Sequence, residues 1–288
     1  MKETPILAVI GGSGLYDFKD LKDIKTIDIK TPFGKPSSLI TVGKLMGKPV
    51  AFLARHGVGH IYPPSEVPYR ANIYALKSLG IKRIVSVSAC GSLRESYAPG
   101  HIVIPNQIFD LTHQRKRSFF KKGLVAHVSV ADPFCSGLSD VLEDALIETN
   151  TTYHKGATFI TIEGPRFSTK GESSLYRQWG MDIIGMTASP EAFLAREAEI
   201  CYTTMAHVTD YDVWHISEKP VTVDIVIQTL NKNVRIAQQT IKSMVTRIDP
   251  ESGCECNHGL KNALITDPDH FDPEERNKLS LLINKYLG

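Results

Sequence analysis

The sequence contains no run of about 18 consecutive apolar residues, the length a helix needs to cross a bilayer. It also lacks a strong charge of either sign: the formal net charge is +2 over 288 residues. A balance that small excludes nucleic-acid or membrane-surface binding driven by bulk electrostatics. The basic clusters Arg115-Lys116-Arg117 and Lys121-Lys122 read as solvated loop. No export signal is expected either. Met1-Lys2-Glu3-Thr4-Pro5 leads straight into the short strand-like run Ile6–Ile10, and glycines follow at once. The expected location is therefore the cytoplasm, with no nucleic-acid or membrane partner. Cysteine is scarce, with five residues in all. Cys90 and Cys201 read as small core residues. Cys254 and Cys256 stand one residue apart, and no second ligand pair follows at metal-site spacing. A local disulfide or two free thiols is expected ahead of zinc, and no metal is expected in the site.

Familiar nucleotide-binding signatures are also missing. Gly11-Gly12-Ser13-Gly14 follows a strand, but the third glycine of a dinucleotide fingerprint would fall on Asp17, and no Gly-Lys-Ser/Thr follows. His56 and His60 are four apart, yet Gly57 and Gly59 lie between them and no glutamate follows His56, so a zinc-hydrolase helix is excluded. No internal repeat, low-complexity tract or interdomain linker breaks the chain.

Short apolar runs alternating with amphipathic stretches predict an α/β fold. Strands are expected at Ile6–Ile10, Val50–Ala54, Ile84–Ser88, His101–Pro105, Thr158–Ile162, Met181–Ile184 and Cys201–Val208. Helices are expected at Pro68–Leu79, Leu138–Ile147, Val223–Ile248, and from Ser189-Pro190-Glu191, which reads as an N-cap, to Glu199. A last helix begins at Asp272-Pro273-Glu274 and carries Leu279, Leu282, Ile283 and Tyr286. The division is a domain over 1–250, with a C-terminal loop and helix over 251–288 appended to it.

Four strand-to-loop transitions hold residues suited to an anion, the usual place for ligands in α/β proteins. Ser13 sits in a glycine turn that serves equally as a plain tight turn or as a nest of N–H groups. Arg55 can fork onto phosphate oxygens and His56 adds a donor. Ser88-Ala89-Cys90-Gly91 leaves room for a ligand against the backbone, and Thr187 adds a hydroxyl beside a helix start. Cys90 has none of the surroundings of a hydrolase nucleophile. Asp210-Tyr211-Asp212, at the end of an apolar run, is expected to place two carboxyls on one side of an extended segment, and it reads alone as an acidic turn. Beside the anion residues it reads as an adenine selector. One ionised carboxylate takes the amino hydrogen and one protonated carboxyl serves N7, whereas a 6-oxopurine asks for donors at both positions.

These segments carry a resemblance. Ile10-Gly11-Gly12-Ser13-Gly14-Leu15, Thr31-Pro32-Phe33-Gly34, Leu53-Ala54-Arg55-His56-Gly57, Ala89-Cys90-Gly91-Ser92 and Thr161-Ile162-Glu163-Gly164-Pro165-Arg166-Phe167-Ser168 stand in order along the chain. With Thr209-Asp210-Tyr211-Asp212 and Trp214 they resemble the methylthioadenosine phosphorylase family, a trimeric, sometimes hexameric, subgroup of the purine nucleoside phosphorylases. The likeness covers residues 5–248. It implies a single-domain fold like that of purine nucleoside phosphorylases, a central twisted mixed sheet with a barrel-like extension flanked by helices. It implies cleavage of methylthioadenosine by orthophosphate, a co-substrate, with no cofactor. It implies phosphate binding by Ser13, Arg55, His56, Ser88, Ala89 and Thr187. Met186 would lie on the ribose, Phe167 on the base, and Asp210 and Asp212 on N6 and N7. Ser168 and Val223 would shape the base and 5′ pockets. Val226 and Ile227 would line an apolar 5′ pocket, although simple core packing explains them equally well. His127 would reach across a subunit interface and His60 would stand near the entrance. A phosphorylase for 6-oxopurine nucleosides or methylthioinosine is the alternative. A binding module without turnover and a hydrolytic nucleosidase are the more distant ones.

Overall fold

The computed structural model describes residues 3–12, 15, 18–215 and 223–287, with the backbone alone over 223–232. Ser13 therefore lies outside the described residues, as do the side chains of Val223, Val226 and Ile227. The strands are β1 (Leu7–Gly11), β2 (Lys22–Ile27), β3 (Ile40–Leu45), β4 (Lys48–Ala54), β5 (Arg83–Ser92), β6 (Ile102–Asp110), β7 (Tyr153–Thr161), β8 (Ile183–Gly185) and β9 (Cys201–Asp210). The helices are α1 (Tyr69–Ser78), α2 (Ser136–Ile147), α3 (Lys170–Gln178), α4 (Ala188–Glu197), α5 (Val223–Arg247), α6 (Pro273–Lys278) and α7 (Ser280–Ile283).

β1 runs parallel to both β4 and β5, while β2 and β3 extend that side as antiparallel strands. Beyond β5 the sheet closes on itself through β8, β7, β6 and β9, because β9 pairs with β5 as well as with β6. This ring is the barrel-like part of the mixed sheet. β1, β5 and β9 are covered on both faces, and their near-continuous apolar runs are what such burial requires. β5 and β9 are parallel, so their C-terminal ends meet at one rim, with Gly91 opposite Asp210. A register irregularity between Cys90 and Gly91 re-aims the chain there, the usual effect of a bulge.

One apolar cluster packs α1 and α4 against one side of the sheet, and a second packs α2 and α5 against the other. The first includes Leu260, Leu279, Leu282 and Ile283, so the C-terminal segment joins the same core as Ile73, Leu76 and Ala192. No described helix is long and apolar enough to cross a membrane.

Several expectations need correction. β2, β3 and α3 are not anticipated by apolar runs. β2 is an exposed, lysine-rich edge strand, the form that discourages edge-to-edge pairing. α3 starts with a full capping box between Thr169 and Glu172 but buries only Ser173 and Tyr176. The last helix is broken at Leu279, and a short 3-10 turn precedes it at Pro268–His270. α4 has Thr187 at its cap, and Ser189 within it is extended (φ −96°, ψ 136°). The basic run is solvated at Lys116 and Arg117, but Arg115 is buried. The cysteines also differ from expectation. Cys135 and Cys201, far apart in sequence, come together with Cys254 and Cys256, all four Sγ atoms within 4.8 Å of one another.

Candidate active site

A cavity of about 820 Å³ opens at the rim where β5 and β9 end. Among the residues singled out from sequence, Arg55, His56, His60, Ser88, Ala89, Phe167, Ser168, Met186, Thr187, Asp210 and Asp212 all line it. Among the described side chains of α5, those of Asn233, Val234 and Ala237 reach it. His127 does not; it is exposed, its N–H donating to Ala263 O at 2.8 Å.

Arg55 follows β4 and is 2 % exposed. Its Nε and Nη2 donate to the two carboxylate oxygens of Glu191, each at 2.8 Å. Nη2 also donates to Ser86 Oγ at 2.5 Å and Nη1 to Val87 O at 3.1 Å. Tyr202 Oη donates to the same Glu191 at 2.9 Å. Burial alone would lower the Arg55 pKa, but the charge and hydrogen bonds of Glu191 outweigh it and raise it. Four of the five guanidinium N–H groups are thus used by described residues, which leaves one for a ligand.

His56 changes role. Its Nδ1 lies 2.9 Å from Tyr62 O, and a carbonyl can only accept, so that nitrogen carries the hydrogen. Burial, then the neighbouring Arg55 charge, lower its pKa to about 4. The ring is neutral near pH 7, and its Nε2 is an acceptor rather than the expected donor. His60 stacks on it, with ring centroids 4.2 Å apart.

Ser88 and Gly91 are three residues apart on β5, about 10 Å along an extended strand. The spacing leaves room for a pentose between the hydroxyl and the aspartates. Space is tight at Gly91: a Cβ on it would meet Asp210 Oδ1 and Ile184 Cγ2 at 3.0 Å and Asp212 Cβ at 3.3 Å, so a larger residue would push on both aspartates. Thr187 makes no side-chain capping bond to α4, which leaves its hydroxyl available.

The two aspartates do not lie on one extended segment. β9 ends at Asp210, and the chain turns so that Asp212 has φ 51°. Asp212 N–H donates to Asp210 Oδ1 at 2.7 Å, and Thr209 Oγ1 donates to Asp210 Oδ2 at 2.7 Å. The turn thereby brings both carboxyls to the cavity wall. Burial lifts the Asp210 pKa to about 6, against those two hydrogen bonds and with help from the Asp212 charge. Burial also raises Asp212, against the pull of the Ser173 and Ser168 hydroxyls. Asp212 Oδ2, Ser168 Oγ and Ser173 Oγ nonetheless lack a well-formed hydrogen bond among the described residues. Buried polar atoms of this kind call for partners, and Asp212 and Ser168 face the cavity where a ligand could supply them. Trp214 fixes the turn, its Nε1 donating to Ser92 O at 2.7 Å beneath the Arg177 guanidinium, 3.4 Å from the ring centroid.

Sequence reasoning passed over four contributors. Glu191 and Tyr202 hold Arg55. Arg115 donates to the carbonyls of Met186 and Ser189, both at 2.6 Å, and of Glu163 at 2.7 Å, tying two cavity loops together. His207 lines the cavity at 1 % exposure with both ring nitrogens unpartnered among the described residues, and burial lowers its pKa to about 4. His207 is a polar interruption in the apolar run of β9, a signal that could have found it.

Residues 6–246 match the family model described as the phosphorylase superfamily. The S-methyl-5′-thioadenosine phosphorylase of Geobacter sulfurreducens is 50% identical over 283 residues, covering 98% of this chain and 99% of that protein. A crystal structure of a methylthioadenosine phosphorylase from an antarctic soil metagenomic library superposes with TM-score 0.92 at 49% identity, covering 97% of this chain and 99% of that one. The methylthioadenosine phosphorylase of Schistosoma mansoni in complex with adenine gives TM-score 0.83 at 33% identity, covering 97% and 98%.

Proposed function

The chain belongs to the phosphorylase superfamily, and from that premise we propose that it cleaves 5′-methylthioadenosine with orthophosphate, giving adenine and 5-methylthioribose 1-phosphate. It is a glycosyltransferase of methionine and purine salvage. The observation that carries this reading is the joining, in one cavity, of an anion-binding group with two carboxyls of raised pKa, Asp212 buried and Asp210 half-buried.

In the reaction the bond from the anomeric carbon to N9 breaks, and a bond from that carbon to a phosphate oxygen forms. Positive charge builds on the ribose and negative charge on the departing base. Phosphate, bound by Arg55, Ser88, Ala89 and Thr187 with Ser13, stands against the developing cation. The neutral His56 Nε2 accepts the P–OH hydrogen. Asp210 gives its proton to N7 of the leaving base, and Asp212, ionised, accepts from the 6-amino group. Met186 meets the ribose, and Phe167 and Ser168 meet the base. Val234 and Ala237, which line the cavity, give an apolar seat to the methylthio group, a part that the resemblance also assigns to Val223, Val226 and Ile227. No cofactor is needed.

We propose further that the chain works as a homotrimer or hexamer, with His127 of one subunit completing a neighbour's cavity and His60 at the entrance. The exposure of His127 and the exposed apolar Phe109, Leu175 and Trp179 support such association. A cytoplasmic setting suits five cysteines that form no disulfide.

The test is a panel of methylthioadenosine, adenosine, methylthioinosine and inosine, each with and without phosphate. The expected outcome is phosphate-dependent release of adenine, with the 6-oxopurines weaker by about 10⁴, as expected when buried polar groups go unmatched. Equal turnover of methylthioinosine supports the alternative substrate class, and release without phosphate supports a nucleosidase.

A further inference from the structure

Four thiols meet on the side of the sheet away from the rim. Cys135 caps α2, Cys201 opens β9, and Cys254 and Cys256 flank the start of the 3-10 turn Glu255–His258 after α5. All four Sγ atoms lie within 4.8 Å of one another, and Cys135 Sγ stands 3.6 Å from Cys254 Sγ. Zinc–thiolate bonds of about 2.3 Å in a tetrahedron set sulfur–sulfur distances near 3.8 Å. A disulfide needs about 2.05 Å. Cys135, Cys201 and Cys256 are buried, and none of the four lines the cavity.

We propose that these four cysteines bind one structural Zn²⁺. Four thiolates of tetrahedral arrangement select zinc over harder cations, and four protein ligands leave no open position for chemistry. Binding releases the thiol protons and leaves a site of net charge −2. The surroundings answer that charge. Arg196 Nη1 donates to Cys256 Sγ at 3.2 Å, and Leu138 N–H, at the positive end of α2, donates to Cys135 Sγ at 3.4 Å. The ion ties the segment after α5 to the first residue of the strand that ends at Asp210.

The full-length chain, prepared with reductant and zinc sulfate and then dialysed, is assayed by elemental mass spectrometry and zinc-edge X-ray absorption. The expected result is one zinc per chain with about four sulfurs near 2.3 Å. Cys254→Ser/Cys256→Ser is expected to lose at least tenfold in retained zinc and to lower the Tm, with phosphorolysis at 25 °C unchanged. Less than a tenth of an equivalent of zinc in the wild type overturns the proposal. So does an intact mass showing two disulfides under the same conditions, iron in place of zinc, or full zinc retention by the double variant. The wild-type measurements decide the matter even if the variant does not fold, and they are independent of whether methylthioadenosine is the substrate.

Discussion

Asp210 can hold a proton near neutrality because it is half-buried beside a second carboxyl, not because of its residue type. With a pKa of about 6 it is protonated in a minority of molecules at pH 7, and the fraction falls as pH rises. At saturating phosphate, kcat/KM for methylthioadenosine is therefore expected to fall about tenfold per unit above pH 6, while His56, already neutral, adds no transition between 5 and 9. Asp210→Asn is expected to abolish that limb and to cost about 10²–10⁴ in kcat, with a relative gain for 6-oxopurines. A pH–rate profile of both proteins checks this, and an unchanged limb in the variant refutes the acid assignment. Both aspartates were legible as residues, since Asp-Tyr-Asp with a following tryptophan is a specific string. Their geometry was not. Alternation along a strand predicted two carboxyls on one face, whereas the left-handed turn at Asp212 arises from the Asp212 N–H bond to Asp210 Oδ1 and from the Trp214 bond to Ser92 O.

Between elements, the anion end of the cavity is held by one buried ion pair. Arg55 after β4, Ser86 on β5, Glu191 on α4 and Tyr202 on β9 share hydrogen bonds across four elements. Removing one partner of a buried pair leaves an uncompensated charge, which costs about 3–5 kcal/mol. Glu191→Ala is expected to lower stability by that amount in urea titration and to change the phosphate KM, because Arg55 is no longer oriented. A normal denaturation midpoint in the variant would count against the account. Arg55 was readable from Leu53-Ala54-Arg55-His56-Gly57, but Glu191 was readable only as a first-turn acidic residue of a helix. Its partner lies 136 residues away, and neither periodicity nor capping rules see across that distance. The same limit hid the partners of Cys254 and Cys256. Strongly apolar elements such as β1, β5 and β9 were found within a few residues of their ends, since burial on both faces writes itself into composition. β2 and α3, which face solvent, left no such trace.

On the scale of the whole molecule, the segment after residue 250 is not a loose addition to the phosphorylase body. Leu260, Leu279, Leu282 and Ile283 are each at most 2 % exposed and sit in the same cluster as residues of α1 and α4. Glu199, just before β9, accepts from Leu260 N at 3.0 Å and pairs with Lys285 at 2.5 Å. Burial of four such side chains contributes on the order of 6–12 kcal/mol, comparable with the net stability of a whole domain at about 5–15 kcal/mol. A body without this segment would expose that core face. Unfolding is therefore expected to be one cooperative transition involving both. Leu282→Ala removes a fully packed side chain at a cost of about 2–5 kcal/mol. The shift should appear equally in far-ultraviolet circular dichroism and in the fluorescence of Trp179 and Trp214, which lie outside the segment. If the tail melted as a separate unit, the tryptophan transition would stay where it is in the parent chain while an earlier, small change appeared in the dichroism.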